Sequence, residues 1–408
     1  METKESILYN IKHLSQLVFE VTDACNLNCK YCGLNSLYKN NSERKGKKLP
    51  FYKAKLIIDY LFSLRERPRN TDYPLNLGFY GGEPLLNMKL IKQIVSYLGN
   101  INFTKATYGM TTNGMLLNKH LDYLVQNKFQ LLISLDGDKF HHSYRVDHKE
   151  KNSFERVVKN IQLIKKEFPE YFKEFVQFNT VLHDRNNVEE VYNFIKKLFD
   201  KIPFIIPLKK VGVHEDRITE FKLMYRSVSE SFMQSKNRKE IEHEMFSIVP
   251  QVSNLNEYIF HNIRNIFHDF NDLIFDSLSK TTKLTGTCSP FSKKMFIAAD
   301  GKILQCEKIA HDFVLGQIMN DHVEIDLDSI AEKQNYYISK CKDQCKRCYF
   351  KDNCPQCIYN IQDIRSEIPK CSDYCSEKHF AEYKNITISY LRENPQYYER
   401  ILKELTRK

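Results

Sequence analysis

From Leu17 to about Lys210 the chain alternates two hydrophobic periodicities. Short apolar runs predict strands at Leu17–Val21, Leu75–Tyr80, Thr107–Thr112, Leu131–Leu135, Phe175–Leu182 and Phe204–Leu208. Between them, apolar residues recur at helical spacing. That predicts helices over Phe51–Arg65, Met88–Leu98, Leu117–Gln126, Ser153–Phe168 and Val188–Leu198. Leu56, Ile57, Tyr60 and Leu61 mark the apolar face of the first. Ser153 reads as the serine cap of the fourth. Repeated strand–helix units predict a parallel sheet with right-handed crossovers, and six of them would curl into a partial (β/α)6 barrel. Active sites on such sheets lie at the C-terminal ends of the strands.

The pattern changes twice further on. Glycine is absent from about Glu215 to Lys283, and the spacing is helical throughout. Ile259, Ile263, Ile266, Phe267, Phe270 and Ile274 mark one face of an amphipathic helix there. After Gly286, Met295–Ala299 and Lys302–Cys306 flank Asp300-Gly301, which predicts a β-hairpin. The segment from about Glu377 to Lys408 reads as a closing helix. The α/β chain therefore divides into a barrel (1–212), a helical bridge (213–285) and a cysteine-rich domain with a C-terminal helix (286–408).

Composition narrows the class. The chain has 408 residues, 42% of them hydrophobic, enough for a substantial core. No basic segment followed by an apolar run opens the chain, and no apolar stretch approaches a membrane span. A cytoplasmic protein is expected. The net charge of +10 is spread over helix faces rather than gathered into a patch, so no nucleic-acid partner is expected. The twelve cysteines are segregated: three lie between Cys25 and Cys32, and nine follow Gly286. In a reduced compartment such grouping points to two metal-binding regions rather than to disulfides or core packing.

The first group, Cys25, Cys29 and Cys32, is spaced C-x3-C-x2-C directly after the first strand. Thiolates on short loops hold iron–sulfur clusters. A four-iron cluster needs four ligands and this loop offers three, which leaves one iron open to a small molecule. A zinc site, or a disulfide with a spare thiol, is the alternative. The motif resembles that of the radical S-adenosylmethionine (radical SAM) superfamily. The resemblance implies that the open iron holds SAM, and that an electron from the cluster splits it to a 5'-deoxyadenosyl radical that abstracts hydrogen from a substrate.

Further stretches carry the same resemblance. Gly81-Gly82-Glu83-Pro84 ends the second strand and is similar to the family's "GGEP" motif, which binds the amino group of SAM. Thr111-Thr112-Asn113-Gly114 ends the third strand. Ser134-Leu135-Asp136-Gly137, with His141, His142, Tyr144 and Arg145, is similar to the family's "SLDG…H…YR" stretch. There the serine and arginine contact the ribose and carboxylate of SAM, and arginine suits a carboxylate because its fork binds bidentately. Tyr31 occupies the position of an aromatic set against the adenine. The expected SAM contacts are thus Tyr31, Gly81, Gly82, Glu83, Pro84, Asn113, Ser134, Asp136 and Arg145. His141 and His142 read as surface residues. No general base can be named.

The second group, Cys288, Cys306, Cys341, Cys345, Cys348, Cys354, Cys357, Cys371 and Cys375, resembles the SPASM domain. Paired zinc ribbons are the rival reading. By the resemblance, Cys345, Cys348, Cys354 and Cys375 hold one auxiliary 4Fe-4S cluster. Cys288, Cys306 and Cys357 hold another, with Cys341 as its fourth ligand, and Cys371 is a spare thiol or a competitor of Cys375. The family spaces its penultimate cysteine by three residues. Here Pro355 and Gln356 make two.

The resemblance implies an oxidoreductase with three 4Fe-4S clusters and SAM that modifies a peptide or protein. Its electrons would come from a ferredoxin or flavodoxin. Maturation of a ribosomally made peptide by crosslinking is the favoured reading. An anaerobic sulfatase-maturing, formylglycine-generating enzyme is the second, and a zinc-binding scaffold the third. Maturases often carry a leader-binding domain before the barrel. Only about twenty residues precede Cys25, so leader binding would need another surface or a partner protein.

Overall fold

The computed structural model describes residues 1–33, 37–38, 45–64, 74–101, 103, 105–246, 249–262, 285–351, 354, 356–361 and 363–405. Six parallel strands follow one another in sheet order: β1 (Gln16–Thr22), β2 (Leu75–Gly81), β3 (Ala106–Thr112), β4 (Gln130–Ser134), β5 (Val176–Leu182) and β6 (Phe204–Pro207). Helices Phe51–Leu64, Met88–Asn100, Leu117–Gln126, Phe154–Glu167 and Val188–Phe199 connect them. These are the elements expected from the two periodicities, with ends shifted by a few residues.

The alternation along the strands builds two faces. One carries Leu17, Phe19, Leu77, Phe79, Leu131, Ile133 and Phe178, all essentially inaccessible. Ile57, Ile94, Ile161 and Ile195 of the helices are equally buried, and Phe178 stacks on Phe199 at 4.9 Å. The other face carries Val18, Tyr80, Thr111 and Leu132, which line a cavity of about 390 Å³. Gly78 lets the strands close here, since a Cβ on it would stand 3.1 Å from Val18.

The hairpin after Gly286 forms as expected, from β7 (Met295–Ile297) and β8 (Lys302–Leu304). Gly301, at φ 92°, takes the left-handed position of its turn. β7 also pairs in parallel with β1, and β9 (Gly316–Ile318) and β10 (Val323–Glu324) extend the edge. One sheet of ten strands results, in the order β10-β9-β8-β7-β1-β2-β3-β4-β5-β6. Glu2–Ser227 and Cys288–Glu332 form one compact unit. Val228–Thr287 and Lys333–Lys408, with Met1, form the other.

Two local expectations change. Ser153 stands at the helix start but does not cap it. Its hydroxyl donates to Arg145 O at 2.8 Å and meets His142 Nε2 at 3.1 Å. The C-terminal segment is two helices, Glu377–Glu393 and Gln396–Glu404. Pro395 divides them, because it has no N–H for the helix ladder. Ile259 is buried at the end of helix Pro250–Asn262. The rest of the expected stripe, Ile263, Ile266, Phe267, Phe270 and Ile274, lies outside the described residues.

Candidate active site

The first cysteine loop leaves the C-terminal end of β1 and is held by the segment that follows β4. Asn28 N–H donates to Val146 O at 2.7 Å and Lys30 N–H to Tyr144 O at 3.1 Å. His148 Nε2 meets Cys25 O at 2.9 Å. Cys32 N–H donates back to Cys29 O, and Leu27 N–H approaches Cys25 Sγ at 3.4 Å. The loop's shape is thus fixed by its own backbone and by residues 144–148. Burial pushes the Cys29 thiol up to about 12, and Cys25 and Cys32 are near enough to add to that shift.

The Gly81-Gly82 turn lies against this loop. Gly82 N–H donates to Thr22 O and Glu83 N–H to Ala24 O, both at 2.9 Å. A Cβ on Gly82 would stand 2.1 Å from Ala24 O, and one on Gly81 the same distance from Thr22 O. Only glycine allows so close an approach. Glu83 is fully buried and turned inward. Its carboxylate accepts from Thr112 Oγ1 (2.7 Å), Asn113 N (2.8 Å) and Leu85 N (3.1 Å). Burial pushes its carboxyl up to about 7 against those three donors. Glu83 therefore joins the ends of β2 and β3. Asn113 Nδ2 donates to Asn26 Oδ1 at 2.7 Å and approaches Cys25 Sγ at 3.8 Å.

A buried polar network occupies the end of β4. Arg145 forks onto Asp136, with Nε to Oδ2 at 2.9 Å and Nη2 to Oδ1 at 3.1 Å. The Asp136 carboxylate also accepts from Val181 N and from the Tyr31 hydroxyl. His183 lies 3.8 Å away. Burial alone would raise the Asp136 carboxyl, but the Arg145 charge and the hydrogen bonds hold it well below the usual carboxylate range. The Tyr31 ring stacks on His183 at 5.4 Å, and Arg145 stands 5.4 Å from its centre. Ser134 ends β4 beside this network and is itself 7% exposed.

His142, expected at the surface, is fully buried. Its Nδ1 accepts from Asp136 N at 3.2 Å, so Nε2 carries the proton toward Ser153. Burial lowers its pKa to about 3, which keeps the imidazole neutral. His141 is mostly buried and lies 3.2 Å from both Asp138 and Glu190.

On the cavity side, Tyr80 meets Phe296 edge-on at 6.4 Å. Glu307 is paired with Lys294 at 3.2 Å, and both line the 390 Å³ cavity. Glu20 accepts from Ala299 N at 2.8 Å, and burial raises its carboxyl.

The later cysteines fall in both compact units. Cys288 and Cys306 accompany the hairpin, and Gln305 Nε2 donates to Cys288 O at 2.6 Å. The other seven belong to the helical unit. There Cys345 feels Cys341, Cys354, Cys371 and Cys348, in that order, and burial pushes its thiol up to about 12. Cys371, expected to be spare, stands among them, and its N–H donates to Gln344 Oε1 at 3.2 Å. Cys375 N–H approaches Cys348 Sγ at 3.4 Å.

Residues 19–198 match the family profile of the radical SAM superfamily. This chain carries a radical SAM domain. The chain is 27% identical over 390 residues to a cysteine-type anaerobic sulfatase-maturating enzyme of Clostridium perfringens (strain 13 / Type A), covering 91% of this chain and 96% of that enzyme. The radical SAM cyclopropyl synthase TigE of Paramaledivibacter caminithermalis is 28% identical over 167 residues, and the match spans 40% of this chain and 34% of TigE. The fold also matches a solved structure of native anSMEcpe with bound AdoMet and Kp18Cys peptide. The TM-score is 0.59 at 19% identity, over 95% of this chain and 98% of that one.

A radical SAM domain implies a 4Fe-4S cluster and SAM. The donor set fits: three thiols share one clamped loop, and the two glycines let the turn after β2 close directly on its backbone. Among the described residues no three His, Cys, Asp or Glu are drawn together as metal ligands. Thiols of this kind close around a metal as it binds. Of the residues expected to contact SAM, Gly81, Gly82 and Asn113 lie against the cysteine loop, whereas Tyr31, Asp136 and Arg145 are joined to one another. Pro84 starts a short 3-10 helix and is buried. Sequence reasoning missed His148, His183 and Asn186, whose Nδ2 donates to Asp136 O at 3.1 Å. His183-Asp184-Arg185-Asn186 follows β5, so the strand-end rule could have found the last two.

Proposed function

We propose that the chain is a radical SAM enzyme that oxidatively modifies a side chain of a peptide or protein. The observation that carries this reading is the likeness to a sulfatase-maturating enzyme over nine-tenths of the chain. A 4Fe-4S cluster on Cys25, Cys29 and Cys32 would supply the electron that cleaves SAM reductively. The chain's own residues do the rest. Gly81 and Gly82 offer bare backbone to the amino group of SAM, with Glu83 and Pro84 fixing the turn. Tyr31, Ser134, Asp136 and Arg145 form the wall toward the ribose and carboxylate.

Two auxiliary clusters would use the later cysteines. One would draw on Cys345, Cys348, Cys354 and Cys375, which share the helical unit with Cys341 and Cys371, and Cys288 and Cys306 beside the hairpin would serve the other. A ferredoxin or flavodoxin of the cytoplasm would reduce the enzyme. Maturation of a ribosomally made peptide by crosslinking is supported by the unusual spacing at Pro355–Gln356 and by the additional Cys341 and Cys371. Formylglycine generation is supported by the length of the sulfatase-maturase match.

Mass spectrometry separates the two. Reconstituted enzyme, SAM and dithionite are incubated with a short peptide encoded beside the gene, and separately with a cysteine-containing sulfatase peptide. Crosslinking removes two hydrogens from the first. Formylglycine formation exchanges sulfur for oxygen in the second, also with loss of two hydrogens. If SAM is cleaved and neither peptide changes, the substrate class is wrong.

A further inference from the structure

The helical unit holds a cavity that the proposed chemistry leaves unused. It measures about 1070 Å³ and lies among helices Val228–Met233, Arg238–Glu244, Glu377–Glu393 and Gln396–Glu404. All of these belong to one compact unit. Its floor is apolar. Phe232 is buried, and Tyr390 and Tyr397 pack at 5.9 Å. Met233 and Ile386 line the cavity yet remain 49% and 66% exposed. Exposed apolar surface gathered in a concavity marks a binding site more often than scattered exposure does.

The rim is cationic. Arg238 and Lys239 are exposed neighbours, and neither forms an ion pair among the described residues. Arg238 Nη1 rests against Met233 Sδ at 3.7 Å. The lining carboxylates do not balance them. Glu242 is buried and accepts from the Tyr390 hydroxyl, which leaves Glu393 as the exposed acid of the lining. Arg400 is occupied by Glu404 at 2.8 Å and stacks over Phe246. His243 lines the same rim. Gln251 Oε1 is buried at the cavity without a hydrogen-bond partner.

We propose that this cavity docks an acidic, amphipathic helical segment of the peptide substrate, away from the residue that is modified. The proposal rests on the peptide reading above. The segment's apolar stripe lies on Met233, Ile386 and Tyr397, its carboxylates reach Arg238 and Lys239, and one of its donors meets Gln251. Helix-in-groove recognition has this form, and an exposed methionine adapts to varied partners. Charge decides the occupant. A second copy of a chain with net charge +10 is repelled from a cationic rim, whereas an acidic segment is attracted.

The test uses anaerobically reconstituted full-length protein and fluorescence anisotropy. The probes are two short helical peptides with the same leucine stripe, one bearing glutamates on its other face and one bearing lysines. The glutamate peptide should bind at least about tenfold more tightly, and the double variant R238E/K239E should erase that preference. Ile386→Glu should weaken binding of both peptides. These positions are exposed, so the variants should fold and should retain SAM cleavage without peptide. Equal binding of the two peptides, or unchanged affinity in R238E/K239E, overturns the proposal. So does a concentration-dependent dimer abolished by Ile386→Glu, which would give the cavity to a second copy. Protein that cleaves no SAM overturns the radical reading and the substrate assignment with it. Indifference to the peptides in protein that does cleave SAM overturns the groove alone.

Discussion

Asp136 and Arg145 concentrate the energetics of the site. Both are buried, and each is the other's counter-charge. Asp136→Asn leaves the guanidinium buried without a full partner, which should cost about 3–5 kcal/mol. Chemical denaturation under anaerobic conditions reads this directly. A loss below about 1 kcal/mol would mean that the pair is solvated. His142 gives the pH dependence. Its folded pKa of about 3 lies below the usual 6.5, so the unfolded chain binds the proton first. Stability from this residue is present above about pH 6.5 and falls as pH drops toward about 3. Denaturation midpoints for wild type and His142→Gln should converge on acidification, because the variant lacks this loss. A parallel shift of the two would remove His142 as its source. None of this was legible in sequence, where two adjacent histidines after a strand look polar and exposed. Burial of a histidine depends on which side of the loop faces Ser153, and local pattern does not carry that.

At the scale of elements the sequence was more informative. Strand and helix positions follow from apolar spacing, and the buried faces around Phe19, Phe79 and Phe178 are the ones the alternation marks. What spacing missed is polar ties between elements. Glu83 looks like a ligand-facing acid after two glycines, yet it bonds the ends of β2 and β3. Glu83→Gln presents an amide N–H₂ where the carboxylate now accepts at both oxygens. At least one buried donor loses its acceptor, at a cost of about 1–3 kcal/mol. Thermal unfolding of the two proteins checks this, and an unchanged midpoint would show that the carboxylate is already protonated and donating. Gly82→Ala tests the neighbouring contact. A Cβ at 2.1 Å from the backbone at Ala24 must displace the cysteine loop. The variant should keep its fold by circular dichroism and lose iron from the first site. Wild-type iron content would mean that the loop shifts freely.

On the scale of the whole molecule, local pattern gave the pieces but not their assembly. The hairpin of β7 and β8 is readable from Asp300-Gly301. Its parallel pairing with β1 is not, because such a contact is set by tertiary packing between segments far apart in the chain. For the same reason the expected boundary at residue 286 differs from the compact units, which group Cys288–Glu332 with the barrel. The segregation of cysteines was visible in the sequence, but Cys288 and Cys306 of the later group fold within the barrel's unit. Among the described residues no helix is long and apolar enough to cross a membrane.

The most direct test of the account separates the two cysteine groups. Cys25, Cys29 and Cys32 are replaced together by alanine, and the protein is reconstituted with iron and sulfide without oxygen. Formation of 5'-deoxyadenosine from SAM under dithionite is then measured beside iron content. The expected result is no 5'-deoxyadenosine with iron still bound by the later cysteines. Continued formation of 5'-deoxyadenosine by the triple variant would contradict the assignment of this loop to the SAM-cleaving cluster.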